Sequence, residues 1–239
     1  MPKNTSTESQ IEGKVRIAVD IGGTFTDLQV LDETTGISHA HKIPTTPDDP
    51  SEGLLIGLRE AAVMFGFGLV QVSVLIHGTT IATNAVLQRK LPIGALITTA
   101  GFEDVLEIGR HLRCQVYSNK AEERTLLIPR SRRFGLKERV KADGSVEVAL
   151  DDNELRELAR KLKNCEAETV AVVLLHAYAN PDHERRVLET LEQALPGVPV
   201  SVSSEISPEF REFERSSTTV LNALLIPVVG NYLRRLEVR

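Results

Sequence analysis

The sequence predicts an α/β fold built around a mixed β-sheet, on two observations. Three strand-like segments follow one another at the start of the chain: Val15–Asp20, Phe25–Leu31 and Ile37–Ile43. Beyond Pro50, helical and strand-like segments alternate. Short turns between consecutive strands favour antiparallel pairing, whereas helical crossovers favour parallel strands. The sheet is therefore expected to open with three antiparallel strands and to continue with alternating helices and strands.

The first helix has clear start signals. Asp49 and Pro50 are typical of an N-cap and the first helical residue, and Glu52 adds an acid in the first turn, so we expect a helix to about Phe65. A buried apolar strand, Val72–Ile76, should follow, and then a helix that begins at Thr79 or Thr80 and ends by Lys90. After them we expect the strand Ile93–Thr98 and the short helix Phe102–Ile108.

The second half is read in the same way. Ser118–Lys137 has little periodicity and is expected to be irregular, and Asp143-Gly144 is typical of a hairpin turn. Asp151 has the character of an N-cap, and a last helix from Pro208 or Glu209 should break at Pro227 because proline lacks the amide hydrogen. The other expected elements are strands 138–141, 146–148, 169–175 and 198–202 and helices to about Asn164 and from Asn180 to Leu195.

Composition sets the broad class of protein. The 239 residues are 41% hydrophobic and 26% charged, which is ordinary for a globular chain with a real core. A net charge of -5 gives no electrostatic basis for nucleic acid or an anionic membrane as a partner. The polar N-terminus lacks a signal-peptide core, and no apolar run approaches the ~20 residues of a membrane helix. Two distant cysteines, Cys114 and Cys165, favour a reducing compartment, so a cytoplasmic protein is expected.

The most informative motif is Asp20-Ile21-Gly22-Gly23-Thr24-Phe25-Thr26-Asp27, at the turn between the first two strands. Glycines allow backbone N–H groups to approach a phosphate and make positive φ angles available. The threonine hydroxyls can donate to phosphate oxygens, and a carboxylate can hold hydrated Mg²⁺ or orient a water molecule. The alternative is a hairpin in which Gly-Gly merely turns the chain. The flanking acids and hydroxyls favour phosphate binding.

A second candidate site is His77-Gly78-Thr79-Thr80-Ile81-Ala82-Thr83-Asn84, where a strand gives way to a helix. Helix N–H groups and the hydroxyls of Thr79 and Thr80 can bind an anion, with His77 and Asn84 as directional polar groups. Helix capping by threonine and a core histidine explain the same residues equally well.

Arg110 is a third candidate, because a guanidinium can clamp a carboxylate or phosphate with two hydrogen bonds. A surface ion pair with Glu107, three residues earlier, is the alternative that the spacing alone favours. The basic run from Arg130 to Lys141 contains a single aromatic residue and is read as a solvated loop rather than a nucleic-acid site.

Together these segments resemble the N-terminal region of the hydantoinase A and 5-oxoprolinase family. Ile21 stands where 5-oxoprolinases tend to carry Arg, which favours the hydantoinase side. After Arg110 the family usually has Arg-Pro and then Tyr-Asp, whereas this chain has Arg113-Cys114 and Tyr117-Ser118. The resemblance covers most of the chain in eight segments: Asp20–Asp27, Lys42–Pro47, His77–Ala85, Thr98–Arg110, Glu138–Val140, Asp143-Gly144, His176–Arg186 and Arg211–Ala223.

The resemblance implies an actin-like, ribonuclease-H-type ATPase lobe that contributes half of an ATP site. Family members use ATP, with Mg²⁺ or another divalent cation, to open cyclic amides, and acetone carboxylase relatives phosphorylate a ketone. Catalytic roles are implied for Asp20, which would also hold the metal, and for His77 and Arg110. Nucleotide contacts are implied for Gly22, Gly23, Thr24, Thr26, Asp27, Thr79, Thr80 and Asn84.

The resemblance also implies a domain layout and partners. Residues 1–14 are expected to form a disordered tail, residues 15–205 the N-terminal domain, and residues 206–239 the start of a truncated second lobe. The expected partners are a cyclic amide and either that second lobe or a hydantoinase B-type subunit.

Two other functions are weighed against this one. A non-catalytic nucleotide-binding or interaction module would expose an apolar surface around Leu221, Leu224, Leu225 and Val228. A small-molecule or sugar kinase of the same fold would share the phosphate loop but leave the segments 77–84 and 101–110 unexplained.

Overall fold

The computed structural model describes residues 11–46, 49–110 and 126–238. The chain divides into two compact units, of which the first combines the described residues up to Lys90 with those from Val228 onward, and the second extends from Leu91 to Pro227. The strands are β1 Val15–Ile21, β2 Phe25–Asp32, β3 Ser38–Pro44, β4 Val72–Thr79, β5 Gly94–Thr99, β6 Arg133–Leu136, β7 Arg139–Val140, β8 Val146–Val148, β9 Thr169–Val173 and β10 Val200–Val202. The α-helices are α1 Pro50–Phe65, α2 Ile81–Leu87, α3 Val105–Ile108, α4 Asp152–Asn164, α5 Asp182–Ala194, α6 Ser203–Ile206 and α7 Glu212–Val238.

The first unit contains a four-stranded sheet in the order β3-β2-β1-β4. The first three strands are antiparallel, as predicted, and β4 is parallel to β1. Alternate residues of β1 are buried, which gives the sheet an inner face packed against α1 and an open face. Helix α1 begins where the sequence predicts, because the Asp49 carboxylate accepts the Ser51 amide at 3.2 Å, and it ends at Gly66 with φ 68°.

The second unit contains a parallel sheet in the order β10-β9-β5-β6. Every residue of β5 and β9 is buried, as is typical of parallel strands covered on both faces. At the carboxyl ends of these strands Thr99 donates to buried Glu138, and Nδ1 of His183 lies 2.7 Å from the other Glu138 oxygen. The predicted hairpin with Asp143-Gly144 at its turn is present as β7 and β8.

Helix α7 differs from its prediction, because it continues through Pro227 to Val238 instead of breaking there. Proline has no N–H group, so the carbonyl of Ala223, four residues earlier, loses its regular donor. The hydroxyl of Thr169 donates to that carbonyl at 2.8 Å in a buried position. A side chain from β9 therefore replaces the backbone hydrogen bond that the proline removes.

Three other expectations need correction. Strand β4 is not buried, because it is an end strand of its sheet in the described structure, and Ile76 is 64% exposed. The segment predicted to be irregular contains β6, while its part at 118–125 lies outside the described residues. The apolar surface expected on α7 is also wrong, because Leu224 is fully buried among Leu96, Ile128 and neighbouring side chains and none of the other three residues is exposed.

The predicted domain boundaries remain a prediction, and the two compact units divide the chain differently. Ile11, which the prediction assigned to a disordered tail, is buried in the core of the first unit. Its carbonyl and that of Gly13 accept hydrogen bonds from Gln71. Within the described ranges, no helix combines the length and the apolar character needed to cross a bilayer.

Candidate functional site

The tip of the β1–β2 hairpin presents unused hydrogen-bond donors. The Gly22 amide donates to the Phe25 carbonyl at 3.0 Å and closes the turn, so the hairpin reading of Gly-Gly is also correct. The amides of Gly23 and Thr24 and the Thr24 hydroxyl have no protein partner within the described residues. Gly23 and Thr24 are both exposed. Two adjacent N–H groups and a hydroxyl are thus available to an anion at one place.

Gly22 and Gly23 are needed because neighbouring atoms pack closely against them, not because they adopt unusual backbone angles. Neither Gly22 nor Gly23 has a positive φ, contrary to one reason given for them. A Cβ atom at Gly22 would lie 3.0 Å from the Phe25 carbonyl oxygen, and one at Gly23 would lie 3.3 Å from Nδ2 of Asn84. The tight turn and its contact with α2 therefore leave little room for a side chain.

Two acids lie side by side on the open face, next to this tip. Asp20 pairs in register with Asp27 on β2 and with Gly78 on β4, so these residues share a face. Asp27 is neutralised by Lys42, whose Nζ lies 2.9 Å from its Oδ1. The exposed carboxylate of Asp20 has no protein partner in the described part of the chain. Facing carboxylates repel each other, and a bound cation would relieve that repulsion.

Thr26 differs from its expected role as a phosphate ligand. Its side chain is fully buried, and its Oγ1 lies 3.0 Å from Oγ1 of Thr45. Thr45 donates its hydroxyl to the Gly22 carbonyl at 2.9 Å and its amide to the Thr24 carbonyl at 2.9 Å. Thr26 and Thr45 therefore stabilise the turn from the buried side of the hairpin. The sequence analysis assigned Thr45 no role, although it falls in the segment Lys42–Pro47 that carries the family resemblance.

The second motif packs beside the hairpin, but mostly on the inner face. His77 is in register with buried Val19, so His77 and Asp20 project from opposite faces of the sheet. The Thr79 hydroxyl accepts the Ile81 amide at 3.2 Å, whereas Thr80, the N-cap residue of α2, makes no side-chain capping hydrogen bond. Thr80 donates its amide to the Ile21 carbonyl at 3.2 Å and accepts Nδ2 of Asn84 at 3.0 Å. Thr80 and Asn84 thus contact the hairpin, whereas His77 does not reach its open side.

His77 instead lies against Tyr232, with ring centroids 5.7 Å apart. Tyr232 is 5% exposed, and its hydroxyl has no partner within the described residues. Burial raises the pKa of Tyr232 to about 12, because the phenolate is poorly solvated there. No local signal in the sequence distinguishes this tyrosine from other apolar positions of the helix.

Arg110 belongs to the second unit and forms an ion pair with Glu214 of α7. Its Nε donates to Oε1 of Glu214 at 2.7 Å, and this hydrogen bond lowers the pKa of the Glu214 carboxyl. The alternative partner from the sequence, Glu107, contacts the buried guanidinium of Arg133 at 3.1 Å. The segment that contains Arg113, Cys114, Tyr117 and Ser118 lies outside the described residues.

Comparison with known proteins identifies the family. Residues 16–195 match the model of the hydantoinase/oxoprolinase N-terminal region, and the chain belongs to this family. An uncharacterized protein of Methanocaldococcus jannaschii is 42% identical over 92% of this chain and 32% of its own length. The caprolactamase subunit alpha of Pseudomonas jessenii is 33% identical over 93% of this chain and 33% of its own.

Solved structures show the same fold. The ATP-dependent caprolactamase of Pseudomonas jessenii matches with a TM-score of 0.83 over 93% of this chain and 33% of that chain, at 33% identity. A nucleotide-free acetone carboxylase matches with a TM-score of 0.83 over 94% of this chain and 34% of that chain, at 29% identity. The predicted α/β class, with a mixed sheet and three opening antiparallel strands, is confirmed. The chain spans about one third of the length of these relatives.

Proposed function

We propose that this chain is the N-terminal lobe of an ATP-dependent enzyme that opens cyclic amides, and that its β1–β2 hairpin binds a phosphate group of ATP. The observation that carries the proposal is that the amides of Gly23 and Thr24, and the nearby carboxylate of Asp20, have no partner among the residues the structure describes. Amides and a hydroxyl at an exposed, narrow turn suit phosphate oxygens. The related acetone carboxylase and caprolactamase are ATP-dependent enzymes, which supports ATP as the phosphate source.

The proposed chemistry follows from the weakness of an amide as an electrophile. The amide oxygen attacks the γ-phosphorus, the bond to the β-phosphate oxygen breaks, and ADP leaves. Water then adds to the activated carbon, the carbon–nitrogen bond breaks as the nitrogen takes a proton and leaves as an amine, and an acyl phosphate remains. A second water attacks the carbonyl carbon of this acyl phosphate, the carbon–oxygen bond to the phosphoryl group breaks, and the carboxylate and inorganic phosphate are released. The donors of Gly23 and Thr24 would hold and neutralise the phosphoryl oxygens during the transfer.

A divalent cation would be held by Asp20, with Asp27 next to it. Mg²⁺ is usually bound through one or two carboxylates together with substrate phosphates and water, which fits one unpaired and one lysine-paired carboxylate. Such an ion would neutralise phosphate charge.

His77, Arg110 and Thr26 have different roles in this proposal. Thr26 acts as a support of the loop through Thr45, and His77 acts from the inner face through Tyr232. Arg110 stays a proposed contact to the substrate or to the transferred phosphoryl group. The caprolactamase relative is named a subunit, which supports a second subunit of the hydantoinase B type as a partner of this chain.

Titration with Mg-ATP by calorimetry tests the nucleotide site directly. We expect Asp20→Asn and Thr24→Val each to weaken binding about tenfold, because each removes one charged or hydrogen-bonded contact worth roughly 1.4 kcal/mol. Glu189→Gln, an exposed acid of α5 in the second unit, is the matched control and should bind as the wild type does. Equal affinity in all four proteins would refute the assignment of the hairpin.

Isotope transfer tests the reaction in a complete enzyme that carries this lobe. A lactam labelled with ¹⁸O in its carbonyl group should deliver the label to inorganic phosphate if the amide oxygen is phosphorylated. Label that remains in the carboxylate product would show that ATP hydrolysis drives ring opening in another way.

A further inference from the structure

The edge of the first sheet that is formed by β4 exposes a run of large apolar side chains. Five of them within eight consecutive residues are more than one third exposed: Leu69, Val70, Val74, Leu75 and Ile76. No charged residue lies in the segment 69–76. Soluble proteins rarely expose such a contiguous apolar surface unless another protein segment packs on it.

The sequence of β4 is that of an interior strand, although its position is at an edge. Strands that are buried on both faces have near-continuous apolar sequences, as β5 and β9 do in the second unit. β4 has such a sequence from Val72 to Ile76, interrupted only by Ser73, yet β1 is its one neighbour within the described structure. The strand therefore lacks a second neighbour that its side chains are suited to contact.

The apolar side chains of β4 project from both faces of the sheet. Leu75 is in register with buried Ile17, on the inner face, and Ile76 is in register with exposed Ala18, on the open face. Leu75 is 44% exposed and Ile76 is 64% exposed, so neither face is covered at this edge. A helix packed on one face would leave the other face in water. A segment that covers both side chains must lie beside β4 in the plane of the sheet.

The backbone of β4 is also available for pairing. The outward N–H and C=O groups of Val74–Thr79 have no partner within the described residues, because β4 pairs only with β1. The register shift in this pairing lies at its start, between Val15 and Arg16, so the rest of the strand is regular. Free edges are usually protected by charged residues or proline, and the opposite edge strand, β3, contains Lys42 and Pro44. β4 contains neither.

We propose that β4 is an interior strand of the complete enzyme, and that a parallel β-strand with apolar residues on both faces pairs with its free edge. This inference rests on the part of the proposed function that makes the chain one lobe of a larger enzyme, and not on the binding of ATP. The relatives contain a source for the strand, because about two thirds of their length lies outside the region that matches this chain. The parallel direction follows from the sequence of β4, since strands that are apolar on both faces are typical of parallel sheets.

The added strand would end at the side of the sheet that carries the proposed phosphate site. Asp20 and Gly78 are in register near the carboxyl ends of β1 and β4, and the hairpin tip directly follows β1. Parallel strands end at the same edge of a sheet, and the residues that follow them converge there on a ligand. The partner strand thus completes the sheet and directs the residues after it towards the side of the hairpin tip.

Hydrogen exchange tests the pairing when this chain is measured alone and as part of a full-length protein. In the full-length protein, this chain replaces the matching third of the Methanocaldococcus jannaschii relative, to which it is 42% identical. The outward amides of Val74–Thr79 should be protected at least about a hundredfold more in the full-length protein than in the chain alone. The strand of the unmodified relative that aligns with β4 should show the same protection, and this measurement needs no replacement. Fast exchange of these amides in both full-length proteins would overturn the proposal.

Ile76→Lys and its matched control Val63→Lys provide a second measurement. Each places a lysine at an exposed apolar position of the first unit, and Val63 lies on α1 with 84% exposure. In the chain alone, neither substitution should change the Tm by more than about 2 °C. In the full-length protein, Ile76→Lys should lower the Tm by at least about 4 °C, because the added strand would bury the charge, whereas Val63→Lys should not. Equal effects of the two substitutions in the full-length protein would contradict the pairing.

Sedimentation of the chain alone tests a different occupant of the edge, a second copy of this chain. A dimer at about 10 µM that Ile76→Lys converts to a monomer would assign the edge to self-pairing and overturn the proposal. A monomer agrees with an edge that is kept for the partner strand. Asp20→Asn should weaken Mg-ATP binding and leave the protection of β4 in the full-length protein unchanged, so failure of the hairpin assignment would be visible separately.

Discussion

Thr169→Val should destabilise the protein by about 1–3 kcal/mol, although valine has nearly the same shape as threonine. The hydroxyl of Thr169 is fully buried and donates to the Ala223 carbonyl at 2.8 Å. Pro227 cannot supply the N–H group that would otherwise reach this carbonyl. The substitution leaves a buried acceptor unsatisfied, and that desolvation cost sets the magnitude.

A double-mutant cycle with Pro227→Ala isolates this mechanism. Alanine restores the amide hydrogen at position 227, which can donate to the Ala223 carbonyl, so Thr169→Val should cost much less in that background. The expected coupling energy is about 1 kcal/mol or more. Urea unfolding followed by circular dichroism measures all four proteins. An equal cost of Thr169→Val with and without Pro227 would refute the account of how the helix passes the proline.

Three further predictions concern packing, the surface and titration. Gly57→Ala should destabilise the protein by about 1 kcal/mol or more, despite alanine's higher helix propensity, because a Cβ there lies 2.8 Å from a methyl group of Leu28. Gly230→Ala should instead stabilise it by about 0.5–1 kcal/mol in the same urea assay, because nothing lies within 4 Å of a Cβ at that position. Arg110→Ala should change the free energy of unfolding by less than about 1 kcal/mol, because its ion pair with Glu214 is solvent-exposed. The same substitution should abolish turnover in a complete enzyme, and normal turnover would show that Arg110 has no catalytic role. Tyrosine absorbance at 295 nm should show a step near pH 12 that Tyr232→Phe lacks, and stability should fall between pH 10 and pH 12, because the unfolded state releases this proton first.

Local signals predicted the first unit well. Helix α1 follows the N-cap Asp49 and ends at Phe65, as the sequence predicts, and the first three strands pair antiparallel as expected. These features depend on residues within a few positions of each other, so a single sequence contains them. The Gly22-Gly23 turn and its flanking acids were found for the same reason.

Long-range contacts explain what the sequence did not reveal. The helix through Pro227 depends on Thr169, which is 54 positions from the carbonyl it satisfies. Thr26 and Thr24 look equivalent in the motif, but strand pairing buries one and exposes the other. That the Tyr232 hydroxyl has no partner among the described residues depends on how the end of α7 packs within the first unit, which periodicity does not encode.

The central claim is that the tip of the β1–β2 hairpin binds phosphate, and backbone amide shifts on titration with Mg-ATP test it most directly. The largest shifts should occur at the amides of Gly23 and Thr24, and they should shrink in Asp20→Asn. Shifts that are absent there, or that are largest in the second unit, would contradict the assignment.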